Sequence, residues 1–252
     1  MAYLRAIWAE RLKMKRTLAL WLAPIAPLVI VGLEMALILD RAEYFTPGNG
    51  LTTWENYGQQ IVLLWGLMML PLFITLETTL LSNLEHSNQQ WKHLFALPLP
   101  RSAVYVAKQI SGMALIALSM VALYGWIVLT GLLLSVLLPG LGFEEPIPWL
   151  TFARYVGISY LAGCLLISIH TWVGLRWHGF VVPIAVGIAA VVVSLFIFQS
   201  EYSEWFPWTV PGMALAAQRN GITLWPQLIA SGVGTLIVAL FGAWNVCRRD
   251  VL

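Results

Sequence analysis

Six stretches of this chain are each long and apolar enough to cross a bilayer, which takes about 20 predominantly apolar residues in a helix. They lie at residues 17–39, 59–82, 104–138, 149–175, 179–198 and 225–246. Few folds remain open to such a chain. A hydrocarbon layer offers no water to bond with backbone amides and carbonyls, so each stretch must be a helix that satisfies its own. At 60% hydrophobic and 10% charged residues, the 252-residue chain also carries more apolar surface than a soluble core would absorb. The expected fold is all-α: a polytopic integral membrane protein of six transmembrane helices. The third stretch is too long for one perpendicular crossing, so its helix should begin in water, with Lys108 near the membrane surface, or tilt strongly.

Ahead of the first stretch, residues 1–16 place Leu4, Ile7, Trp8 and Leu12 on one helical face and Arg5, Glu10, Arg11, Lys13, Lys15 and Arg16 around the rest. That pattern predicts an amphipathic helix lying along the membrane surface, with its cations near anionic lipid; the plainer alternative is a frayed basic leader. A cleaved signal peptide is not expected, because the following apolar run is span-length. With six crossings, these cations fall on the same side as Lys92, Arg101, Lys108, Arg176, Arg248 and Arg249. The positive-inside rule then puts both termini in the cytoplasm and makes the cell membrane the expected location. A net charge of +2 gives no reason to expect a nucleic-acid partner. Cys164 and Cys247 have neither disulfide-framework nor metal-ligand spacing, so no metal is expected.

The longest polar break lies between the second and third stretches. As a helix from about Asn83, it would align Leu84, Trp91, Leu94 and Phe95 in one stripe, with Glu85 and Lys92 elsewhere. Pro98 and Pro100 end it, because proline lacks an amide donor and restricts the residue before it, and Arg101 stands at the corner. The segment 83–103 is therefore an amphipathic surface helix followed by a rigid turn. On the opposite side, the segment 200–224 holds Pro207, Trp208 and Pro211 ahead of an apolar run too short to span. It suits a helix that dips into the outer leaflet and returns.

Charge inside the apolar stretches is costly and marks candidate polar sites: Glu34 in the first, Glu77 in the second and His170 in the fourth. Near an interface these groups can instead pair structurally, Glu77 with Lys108 or Arg101. His170 reads as a packing histidine.

A basic amphipathic amino-terminal helix, six spans, the corner Leu97-Pro98-Leu99-Pro100-Arg101 followed by Lys108, and the outer Pro207-Trp208-x-x-Pro211 together resemble the permease subunit of type-2 ATP-binding-cassette exporters. The branch most similar is that of lantibiotic-immunity and bacitracin-resistance permeases; Pro100 is an addition to its corner. The resemblance implies that the segment 83–103 is a coupling helix seated in a cytoplasmic ATPase, through Leu84, Glu85, Trp91, Lys92, Leu94, Phe95 and Arg101. It implies that the segment 200–224 is re-entrant and caps the path, and that a dimer of ATPase subunits and a second permease copy or paralogue complete the machine. No G-x-x-x-x-G-K-[ST] occurs in the chain, so no cofactor is expected on it, and ATP and Mg would be held by the partner ATPase. An amphipathic or peptide-like cargo would be moved out by ATP-driven alternating access in the bacterial inner membrane. Two other classes stay open: an ion-coupled secondary transporter, which would show internal repeats, and an intramembrane enzyme, which would need a polar catalytic group in the lipid core.

Overall fold

The computed structural model describes residues 1–15, 17–42, 45, 51–86, 100–177, 179–213 and 225–248. Among the described residues the protein is helical, with no strand. A surface helix α1 (Ala2–Met14) precedes α2 (Leu18–Asp40). The second span begins as α3 (Thr53–Leu64), widens into a π-helical turn (Trp65–Met69) and continues as α4 (Leu70–His86). Then come α5 (Arg101–Leu137), α6 (Trp149–Arg176), α7 (Val181–Ile197), a 3₁₀ turn (Glu201–Glu204) and α8 (Trp225–Cys247). Among the described residues, five helices are long and apolar enough to cross a membrane, counting α3 to α4 as one. This is a multi-pass membrane protein.

The fifth apolar stretch is shorter as a helix than as a sequence. Gly179 takes φ +90°, a left-handed conformation that glycine accepts without strain, and the helix starts only at Val181. Its 17 residues span about 25 Å, less than the ~30 Å hydrocarbon thickness, so flanking residues must complete the crossing. The second span departs the other way. Its helix begins at Thr53, where Thr52 Oγ1 accepts from the Glu55 amide and the Glu55 carboxylate accepts from the Thr52 amide, a reciprocal cap.

That second span is the hub of the bundle. Trp54, Tyr57, Ile61, Trp65, Leu70 and Ile74 along it are all fully buried. α4 packs on α6 and α7, α2 lies along α5, and α8 packs chiefly on α6 while leaving most of its own surface exposed. At the end of the bundle away from α1, the connection after α5 closes over the hub. Trp54 Nε1 donates to the Phe143 carbonyl at 3.0 Å, Thr53 Oγ1 to the Leu141 carbonyl at 2.9 Å, and the Phe143 ring meets Trp54 and Tyr57 edge-on. Glu144 is drawn into the same connection: its carboxylate accepts from the Gly140 and Gly142 amides, which hold it below the usual carboxylate range.

Two glycines of α5 separate packing from propensity. A methyl group on Gly131 would collide with the Trp54 ring, whereas one on Gly125 would meet nothing within 4 Å. Gly131→Ala is expected to destabilise the protein by about 1–3 kcal/mol through overpacking. Gly125→Ala should be neutral or stabilising by up to about 1 kcal/mol, since alanine favours helix. Thermal unfolding in one detergent compares the two.

Candidate functional site

The polar break between α4 and α5 enters the described structure from both sides. α4 carries Leu84, half-buried, and Glu85 in its last turn; Trp91, Lys92, Leu94 and Phe95 lie outside the described residues. Pro100 caps α5 in extended conformation, with the Ala103 amide bonded back to its carbonyl. The helix therefore starts at Arg101, and the Arg101 guanidinium approaches the Cys247 carbonyl at the end of α8 at 3.5 Å.

Two turns into α5, a lysine is withdrawn from water. The Lys108 side chain is 1% exposed, and its Nζ lies 3.3 Å from Glu10 Oε2 and donates to the Leu81 carbonyl at 3.0 Å. Glu10, itself buried, also accepts from Lys13 at 2.8 Å. Burial by itself would raise the Glu10 carboxyl, but Lys108 beside it and the Lys13 hydrogen bond hold it below the usual range. Three elements thus converge on one ammonium: α1, the end of α4 and the start of α5. The approach is close because Ala6 of α1 packs on Ala103 and Ala107 of α5. Tyr3 Oη and Ser102 Oγ add a hydrogen bond at 3.1 Å.

This arrangement corrects two expectations. Glu10 does not belong to the solvated remainder of α1; it faces α5, while Leu4, Trp8 and Leu12 stay exposed alongside Arg5 and Arg11. Nor does Lys108 serve Glu77, because Glu10 and Leu81 occupy it. Glu77 is fully buried, and among the described residues neither of its carboxylate oxygens has a hydrogen-bond partner. The signal for the α1 contact was present as Ala103-x-x-x-Ala107, a small-residue pair that lets helices meet closely.

The remaining polar candidates separate. Glu34 is half-buried in α2. His170 is fully buried in α6, where a ring nitrogen lies 3.3 Å from Thr75 Oγ1 and the Trp208 ring meets it edge-on at 5.8 Å. Trp208 belongs to the connection between α7 and α8, and at His170 it stands about 30 Å along α6 from Trp149. The carbonyl of Pro211 accepts from Ser159 Oγ at 3.0 Å, about 15 Å along α6 from Trp149. Pro211 and Gly212 press on the π-helical turn: a Cβ on Gly66 would lie 2.7 Å from the Pro211 carbonyl oxygen, and one on Gly212 would lie 2.8 Å from the Leu67 Cα. Backbone rests on backbone here, which only paired glycines permit. Pro207 lies in the turn that precedes this seat, where the Thr209 hydroxyl donates to the Phe206 carbonyl at 2.6 Å.

Residues 6–196 match the family model described as ABC-2 family transporter protein. The chain belongs to the ABC-2 transporter family. No curated protein and no solved structure matches it closely enough to add to that. The match runs from within α1 into α7, so in this ABC-2 permease it takes in the Glu10–Lys108 joint, the hub and both sides of the polar break. An ABC-2 permease is the membrane component of an ABC transporter and is not itself the ATPase, and the family works with an ABC ATPase.

Two consequences of this geometry are measurable. Glu10→Gln removes the carboxylate beside the buried Lys108 ammonium and should cost about 3 kcal/mol or more, while the paired change Glu10→Gln with Lys108→Met should recover much of that. A double-mutant cycle on unfolding in detergent reads the difference. Gly212→Ala should lower stability by about 1–3 kcal/mol, against no loss for Gly157→Ala, which has open space around it.

Proposed function

We propose that this ABC-2 permease is half of a bacterial exporter. It works in the inner membrane with the α1 end of the bundle and both termini in the cytoplasm. A dimer of ABC ATPase subunits, which hold the ATP and Mg, docks on the segment 83–103, and a second permease copy or paralogue supplies the facing wall. Closure of the ATPases on ATP draws the two coupling segments together and rocks the spans from inward-facing to outward-facing.

The observation that carries this reading is the joint at Lys108. A segment that links two helices delivers a push only if its two ends are held to the rest of the bundle, and here Leu81 on one side and Lys108 on the other are bonded directly, with α1 as a brace. In the proposed contact, Leu84, Trp91, Leu94 and Phe95 are the apolar anchors and Glu85, Lys92 and Arg101 orient the rim. The segment holding Pro207, Trp208 and Pro211 closes the far side of the path, consistent with its seat against Gly66 and His170.

An amphipathic or peptide-like cargo, antimicrobial peptides among them, suits a path reached from lipid. An apolar cavity of about 380 Å³ between α5 and α6, lined by Met120, Val121, Val156 and Gly157, offers such cargo a place to rest.

Purification of the tagged permease from its own host in mild detergent tests the central contact. The wild type should retain an ABC ATPase, and Trp91→Glu should lose it while expressing and inserting normally. Equal retention by both would place the contact elsewhere. Deletion of the permease should raise sensitivity to at least one member of a panel of lantibiotics and bacitracin, and unchanged sensitivity across the panel would remove that cargo class.

A further inference from the structure

A buried ion pair is a poor device for stability alone. Removing two charges from water costs several kcal/mol each, and apolar residues of the same size at such sites are often as stable or more so. What an ion pair adds is discreteness. The ammonium of Lys108 cannot slide along α1 or α4 as a leucine could, because a shift pulls it away from the Glu10 carboxylate, 3.3 Å distant in a dry site. Its geometry also joins parts that are far apart in sequence. Glu10 lies near the end of the surface helix, Leu81 in the last two turns of α4, and Lys108 itself two turns into α5. The surrounding contacts agree with a fitted joint: Ala6 lies on Ala103 and Ala107, Tyr3 meets Ser102, and Lys13 backs the carboxylate.

The opposite face of α1 is built for a different neighbour. Leu4, Trp8 and Leu12 are each more than half exposed, with the Arg11 guanidinium lying over the Trp8 ring at 5.2 Å. A helix half-sunk in the headgroup layer is dragged by lipid whenever the bundle moves. Without a fixed link it would lag behind.

From this geometry we infer that Lys108 is a positioning residue of the transport cycle. It clamps α1, the end of α4 and the start of α5 into one body, so that a displacement delivered between α4 and α5 reaches the far end of the spans undiminished. This rests on the permease–ATPase reading above. The three elements move together or the Glu10–Lys108 contact opens.

The test uses the full-length permease with its co-purified ATPase in lipid nanodiscs and two pairs of nitroxide labels. One pair, at positions 9 and 110, spans the joint; the other, at the exposed positions 136 and 202, reports the far end of the bundle. Distances are measured without nucleotide and after trapping with ADP and vanadate. Wild type and Lys108→Arg, which keeps the charge and donors, should show one narrow joint distance in both states and a clear nucleotide-dependent shift at the far end. The preparation of the paired variant Glu10→Gln with Lys108→Met, chosen because it removes both charges of the pair, should still hydrolyse ATP through its ATPase. Its joint distance should broaden, and its far-end shift should shrink at least about fivefold. A far-end shift of wild-type size in that variant would overturn the clamp while leaving the permease–ATPase reading intact. Absence of any ATPase from the wild-type preparation would overturn both.

Discussion

Any polar group placed in the hydrocarbon layer must be satisfied by the protein itself, and most of the contacts that define this bundle are answers to that demand. Along α4 the hydroxyls of Thr75, Thr78, Thr79 and Ser82 each return to a carbonyl one turn earlier, which lets the polar residues of this helix lie buried. Between helices, the Gln109 amide donates to Ser168, Tyr57 meets Thr130, and Ser231 reaches the Ala162 carbonyl. Small residues then allow the close approach. A methyl on Gly174 would press on Ser82, and one on Gly187 on Thr75. The Lys108–Glu10 pair is the same rule applied to full charges, at the boundary where α1 meets the bundle.

This network makes the second span the part through which other movements must pass. Its α1 end is bonded to α5 through Leu81 and Lys108, its middle is a π-helical turn that receives Pro211 and Gly212, and its far end is capped by the connection holding Phe143. A π turn places one residue more than the α ladder calls for, and such turns recur where a helix must accommodate a neighbour or bend. Here it opens the face that carries Gly66. In the proposed transport cycle, one continuous helix links a push on the α4–α5 connection to a release of the segment holding Pro211.

The large features of this arrangement were legible because they rest on local rules. Apolar length marks the helices, and Pro100 marks where α5 begins. Other features depended on pairing across the fold. Glu10 counts as a surface residue on any helical wheel of residues 1–16 and becomes a buried one only when Ala103 and Ala107 are brought beneath it. Glu77 and Lys108 are plausible partners by sequence distance, yet the carboxylate from α1 claims the lysine. Thr52 and Glu55 spell out a helix cap in plain sequence, but the start of that helix is polar and lies ahead of the apolar run. The depth of Trp208 could not be read from its neighbours, because a short apolar run says that a segment dips and not how far. Gly179 shortens α7 through a backbone conformation that hydropathy does not register.

The claim on which the account turns is that an ATPase pushes between α4 and α5 on a joint already assembled. A cryo-electron-microscopy map of the permease with its ATPase, with and without bound nucleotide, tests it most directly. The account predicts residues 87–99 seated in a cleft of the ATPase, with Glu10 held against Lys108 in both states. An ATPase docked on another surface, or α1 parted from α5 in either state, would contradict it.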